Sequence, residues 1–436
     1  MIVRGRLATT GRCATISIKG TRVAAVDEHP SDAHSAESTD IVIMPGLVDL
    51  QVNGLAGCDL NDGSVDEKVV RRLVEREWAH GVTSFCPTLT SAPQDDITER
   101  LGIIGRARSS DYLIGHSLLA PHVEGPYLSP DDGPRGAHGR GFMRLPDVAE
   151  LERWLASSGG ALSIVTLAPE LPGAINYIGA LAARGIVAAI GHTSATASEI
   201  EAATGAGALL STHLGNGCAE LLHRHHNAVW PQLAEQRLSA SFIADGVHLP
   251  GPMLIAMLRA KGDRRSILVS DSIGTTGVSP GRYVTKDGVV LVDDDGVTRP
   301  VGARGFAGGA RSLDGCVSWA LHHGGLSLSV AARLASTNPA RLLHLDGDSD
   351  TGPRGLLTPG SAADLALFRF DGETLRPIAT VVDGEVVFIT GEAKDAVSDK
   401  DTGIAPGSLM PAGKARGVTQ DGSGIQETPV RRGRDR

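Results

Sequence analysis

Four acidic or imidazole side chains each follow an apolar run: Glu124 after "SLLAPHV", His192 after "IVAAIG", His213 after "ALLST" and Asp271 after "SILVS". Two imidazoles and a carboxylate, with water in the remaining position, are the ligand set of hydrolytic Zn²⁺. The pattern is plainest in "AAIGHTSATASEIEAATGAGALLSTHLGNG", Ala188 to Gly217. One run ends at His192, a helix-like segment spans Ala195 to Ala206, and a second run ends at His213. Ser194 or Thr196 can cap the segment. Parallel strands joined by a crossover helix lie side by side with their C-terminal ends together. Both imidazoles would then project toward one point.

The elements that must position these groups alternate along the middle of the chain. Strand-like runs begin near Asp49, Val82, Ser117, Leu162, Ile186, Ala208, Ser239 and Ser266, with helical patterns between most of them. In "VDEKVVRRLVEREWAHG", for example, Val69, Leu73 and Trp78 share a helical face and Gly81 supplies the stop. Eight such strands favour a closed barrel, whose chemistry sits at the C-terminal strand ends. The first strand brings Asp49, Gln51 and Asn53 to that end, and the third brings His122 beside Glu124. The expected fold is α/β, a (β/α)8 TIM-like barrel with a small β-sandwich domain formed by both chain ends. Short strands fill residues 1–44 and 356–390, where Asp383-Gly384 is a hairpin turn signal. The alternative is two independent β extensions. The barrel occupies 45–355. Residues 391–436 are polar and Gly-rich, the composition of a disordered tail.

A chain of 436 residues, 41% hydrophobic, can bury a large core, and its formal charge of −9 disfavours nucleic acid or an anionic membrane as partner. Five scattered cysteines form no CxxC pair, which fits reduced thiols in the cytoplasm. The start lacks the apolar core of a signal peptide. No apolar run approaches the roughly 20 residues that span a bilayer. HExxH, Walker and GxSxG patterns are missing as well.

With these residues in place the sequence resembles the amidohydrolase superfamily, and within it the N-acetylglucosamine-6-phosphate deacetylases. The segments that carry the likeness are "PGLVDLQVNGLAGCDLND", "GVTSFCPTLTS", "HVEGPYLSPDDGPRGAHG", "VTLAPE", "GHTSAT", "THLGNG", "ADGVHL", "VSDSIGTTG" and "STNPARLLHL", in family order. The resemblance implies that Glu124, His192 and His213 hold one divalent metal per subunit. Zinc is the first expectation, and iron, cobalt or manganese suit the same donors. It implies Asp271 as general base and then acid, and His138 as a carbonyl-polarising and substrate-binding residue. Asn216, Gly217 and His248 would contact substrate. Arg224 would bind phosphate in the neighbouring site of a homodimer. Gln51 and Asn53 stand where many relatives hold a second metal. Amides are poor zinc ligands, and no lysine lies between Lys68 and Lys261 to bridge two ions.

The implied reaction is hydrolysis of the acetamide of N-acetylglucosamine 6-phosphate. The alternatives are another N-acyl or cyclic amide substrate, or a barrel scaffold without catalysis. Arg224 lies in "LLHRHHNAVW", where the family has Arg followed by Glu-Pro-Gly, and Ala310 departs from the family's "LAGSxLTM" pattern. Both point to a changed sugar or phosphate pocket. His223, His225 and His226 read as a positively charged surface loop in preference to a second metal site.

Overall fold

The computed structural model describes residues 1–29, 40–285, 288–302, 305–347 and 351–398. Eight parallel strands follow one another around the larger domain: β1 (Leu47–Val52), β2 (Val82–Thr90), β3 (His122–Glu124), β4 (Ile164–Leu167), β5 (Val187–Ile190), β6 (Ala208–Ser211), β7 (Ser239–Ile243) and β8 (Ser266–Val269). The ring closes through a parallel bridge between Val52, the last residue of β1, and Ser272, just past the end of β8. Beside it the buried Asp49 carboxylate accepts the Ser270 N–H at 3.2 and 3.3 Å.

Alternation along each strand sorts the side chains. Val48, Leu50, Ile164, Val187, Ala189, Leu210, Ile243, Ile267 and Val269 share one buried cluster that fills the bore. Leu47, Phe85, Val165, Ile190 and Leu268 belong to the larger cluster with the surrounding helices. The helix from Glu67 to Ala79 is capped by Asp66, packs Val69 and Leu73 inward and stops at Gly81 in the left-handed region, φ 78°. Between β5 and β6 the helix Ala197–Gly205 begins with a capping box of Thr196 and Glu199.

The third strand is shorter than its apolar run suggests. Ser117 ends the helix Tyr112–Ser117, and pairing resumes at His122, after Pro121, which has no N–H to give a ladder.

Both chain ends form one mixed sheet, ordered Glu385–Ile389, Leu375–Val382, Leu365–Phe370, Ile41–Pro45, Ile2–Leu7, Cys13–Lys19 and Arg22–His29. Ile41–Pro45 runs antiparallel to Leu365–Phe370, so the two ends make one domain instead of two extensions. Asp383 and Gly384, at φ 49° and 83°, make the tight hairpin turn. Order continues past residue 390: Val397–Ser398 pairs with Ile2–Leu7, and Ala393 and Ala396 are buried. The expectation of a disordered tail therefore does not hold for 391–398, while 399–436 lie outside the described residues.

A three-stranded antiparallel sheet, Gly281–Thr285, Gly288–Val292 and Thr298–Pro300, rises between β8 and the helix Leu313–His322. No helix among the described residues is long and apolar enough to cross a membrane. The cysteines are unpaired.

Candidate metal centre and active site

Glu124, His192 and His213 converge at the C-terminal ends of β3, β5 and β6. Among the described residues they are the one such trio, with candidate ligand atoms within 4.8 Å of one another. Glu124 Oε1 lies 2.8 Å from His213 Nε2 and 3.3 Å from His192 Nε2, and the two Nε2 atoms are 3.1 Å apart. His192 Nδ1 donates to the Pro134 carbonyl at 2.9 Å. That bond fixes the tautomer and turns the lone pair of Nε2 toward Glu124.

Lone pairs aimed at a buried carboxylate demand a positive charge among them. Burial opposes ionisation of Glu124, but hydrogen bonds and charge from His192 and His213 outweigh it and hold the carboxyl well below its ordinary range. Burial likewise opposes a charged His213, yet the hydrogen bond and charge of Glu124 push its pKa up. A divalent cation competes with that proton for the same place, so the donor set fits a metal.

Reaching this arrangement bends the chain hard at three strand ends. His192, His213 and Asp271 adopt φ of 52°, 29° and 49°, a region costly for residues with a Cβ. A neighbouring strand or loop holds each turn. The His213 N–H donates to Ser241 Oγ at 2.7 Å, the His192 carbonyl accepts from Ser129 at 3.0 Å, and the Asp271 carbonyl accepts from Gly309 at 2.7 Å.

Asp271 faces the trio across two amides. Gln51 Nε2 donates to Glu124 Oε1 at 2.8 Å and to Asp271 Oδ1 at 3.0 Å, and Asn53 Nδ2 donates to the same Oδ1 at 2.9 Å. Gln51 Oε1 accepts from Thr212 Oγ1 at 3.0 Å, which sets the amide's orientation. Two neutral amide donors thus hold Asp271 Oδ1 in place, and one of them also reaches Glu124. Burial, then the charge of Glu124, raises the Asp271 pKa to about 6, against the lowering influence of His213, His248 and Asn53.

The remaining expected residues gather around this centre, with one exception. His138 Nε2 lies 3.7 Å from Glu124 Oε2, its Nδ1 is bonded to Ser91 Oγ at 2.9 Å, and its ring edge meets His192. Asn216 Nδ2 donates to the His213 carbonyl at 3.3 Å. Gly217 has φ 58°, and a Cβ there would stand 2.8 Å from His192 Nδ1. His248 Nδ1 is bonded to Asp245 Oδ2 at 2.7 Å. Arg224 instead sits on an exposed loop, its carbonyl accepting from Trp230 Nε1 at 3.1 Å, and makes no polar contact with the trio among the described residues. His223 is engaged in that loop's turn, accepting the N–H groups of His225 and His226 at 3.3 and 3.0 Å.

Several supporting residues escaped the sequence reading. Glu170 takes the Thr193 hydroxyl and the Ser194 N–H, the latter at 2.7 Å, and so braces the turn after His192. Ser91 and Asp245 orient His138 and His248. Ser91 and Glu170 lie far in sequence from His138 and Thr193, whereas Asp245, three residues before His248 and just after an apolar run, carried a readable signal.

The amidohydrolase family model matches residues 42–387, most of the chain. The N-acetylglucosamine-6-phosphate deacetylase of Bos taurus is 33% identical over 363 residues, covering 81% of this chain and 85% of that protein. This chain belongs to the amidohydrolase family, in its N-acetylglucosamine-6-phosphate deacetylase branch. As an amidohydrolase it is a hydrolase of carbon–nitrogen bonds. The N-acetylgalactosamine-6-phosphate deacetylase of Escherichia coli O157:H7 is 32% identical, covering 79% of this chain and 87% of that protein. The N-acetyl-D-glucosamine-6-phosphate deacetylase of Mycobacterium smegmatis superimposes with a TM-score of 0.79 at 30% identity, covering 89% of this amidohydrolase and 100% of that chain. An aspartate-to-alanine mutant of the same enzyme, solved in complex with N-acetyl-D-glucosamine-6-phosphate, gives 0.78, again at 30% identity, covering 89% and 99%.

Proposed function

We propose that this amidohydrolase removes the acetyl group from an N-acetylated amino sugar phosphate, N-acetylglucosamine 6-phosphate first, giving the free amine and acetate. Convergence of Glu124, His192 and His213 opposite an amide-held Asp271 carries the reading. Those three side chains would hold one divalent ion, zinc by preference. Bound there, such an ion lowers the pKa of water toward neutrality and polarises an amide carbonyl.

The chain's own groups do the rest. Asp271 Oδ1 is engaged by two amide donors, so Oδ2 is the oxygen that carries the proton. Oδ2 takes a proton from the attacking water and returns it to the departing amine nitrogen, without which the C–N bond does not break. His138, held by Ser91, lies beside Glu124 and is placed to donate to the acetyl oxygen. Asn216, Gly217 and His248 line the sugar. Arg224 would serve the neighbouring subunit of a homodimer. Its loop exposes Leu221 by 92% and Trp230 by 55%, apolar area suited to burial against a second copy.

Acetate release from N-acetylated hexosamines, with and without a 6-phosphate, tests the reading on metal-reconstituted protein. N-acetylglucosamine 6-phosphate should be turned over fastest, with the galactose epimer as the near competitor. Acetate released from none of the phosphorylated sugars would overturn it.

A further inference from the structure

Asp245, 1% exposed at the end of β7, gathers four donors: the N–H groups of Val247, His248 and Ala310 at 2.9, 2.9 and 3.0 Å, and His248 Nδ1 at 2.7 Å. One buried anion thereby ties His248 to the segment that runs along Asp271, whose carbonyl accepts the Gly309 N–H at 2.7 Å. With Nδ1 engaged, His248 Nε2 points away from Asp245. The ring of Phe306 leans on His248, centroids 5.3 Å apart at 61°. The Arg299 guanidinium carbon lies 4.8 Å from the Phe306 centroid.

Arg299 reaches this rim because Thr298–Pro300 pairs outside the barrel, where the Thr298 carbonyl accepts the Ala307 N–H at 3.1 Å. A guanidinium lying on an aromatic face keeps its in-plane N–H groups for other partners. Its carboxylate neighbour, Asp293, is 3.6 Å away with both side chains well exposed (51% and 39%), a pair that solvent screens and an arriving dianion can outcompete. His248 and Arg299 thus share one edge of the site, joined by Phe306, and the guanidinium brings the donors there.

We infer that Arg299, stacked on Phe306 beside His248, is a specificity-determining residue through which each subunit recognises the phosphate of the sugar in its own site. The inference rests on the amino sugar phosphate reading and adds a cation supplied in cis to Arg224. Phosphate suits it because a guanidinium makes paired, charge-assisted hydrogen bonds to its oxygens.

Titration calorimetry with glucosamine 6-phosphate and with glucosamine, which hold no amide to cleave, tests this on the intact metal-loaded protein. Wild type should prefer the phosphorylated sugar. Arg299→Ala should weaken glucosamine 6-phosphate by about tenfold or more while glucosamine affinity and thermal midpoint stay put. Arg299→Lys should recover part of the loss. Arg299→Ala binding glucosamine 6-phosphate as wild type does would overturn the inference. So would equal weakening of both sugars, or a wild type that does not discriminate between them. Retained discrimination without acetate release would sink only the deacetylase reading.

Discussion

Gln51 Nε2 stands between two carboxylates, 2.8 Å from Glu124 Oε1 and 3.0 Å from Asp271 Oδ1. A neutral amide therefore bridges Glu124 to Asp271, the proposed acid/base, and keeps two carboxylates in one buried site. Removing it leaves each carboxylate short of a donor. Hydrogen bonds to charged groups contribute about 1.5–3 kcal/mol, so Gln51→Leu should lower kcat/KM roughly 10–100-fold with the fold intact. Steady-state acetate release together with a melting curve checks this.

Asp271 is assigned the proton, not the cation. Asp271→Asn keeps the side-chain volume and removes the carboxylate. Metal content should remain at the wild-type level while kcat falls by ~10²–10⁴. Loss of the metal in this variant would show that Asp271 belongs to the ligand set instead.

Gly217 combines φ 58° with close approach: a Cβ would meet His192 Nδ1 at 2.8 Å and Cε1 at 3.1 Å. The imidazole cannot retreat without breaking its bond to the Pro134 carbonyl. Gly217→Ala should therefore displace His192 and weaken metal binding about 10–100-fold, as loss of an orienting contact does. Competition with a chromophoric chelator measures it.

Glu77, His80 and Asp314 form a second titrating cluster, with His80 Nδ1 3.0 Å from Asp314 Oδ1. Burial, reinforced by the charge of Asp49, raises the Glu77 pKa from 4.5 to about 8. Burial lowers His80, but the charge and hydrogen bond of Asp314 prevail and raise it from 6.5 to about 9. Both groups bind protons more tightly when folded. Their contribution is full at low pH and is lost as pH climbs, from 4.5 to about 8 for Glu77 and from 6.5 to about 9 for His80. His80 is 36% exposed, so most of the effect falls to Glu77. Glu77→Gln should flatten the decline in melting temperature across that window, which at one site amounts to a few kcal/mol at most.

The barrel and its centre were legible because each proposed ligand closes an apolar run, and the run's direction tells where the side chain emerges. His192 and His213 needed only strand pairing to meet. Asp245 was harder: its meaning comes from Ala310, a partner 65 residues onward. The sheet after β8 left a fainter trace in alternating Tyr283, Val290 and Val292, which bury against one another above the rim and not in the main core. Val397 and Ser398 were unreadable since two residues paired to Ile2 and Val3 set no periodicity of their own. Arg224 was found by resemblance, and a single subunit leaves it on the surface.

Metal content of the purified, reconstituted chain is the most direct measurement, made on wild type beside His192→Ala and His213→Ala. One divalent ion per wild-type subunit is predicted, with each variant nearly empty and inactive, and chelation of wild type should stop acetate release until zinc is returned. Variants that keep a full complement of metal, or wild type that stays fully active after exhaustive chelation, would contradict the centre assigned to Glu124, His192 and His213.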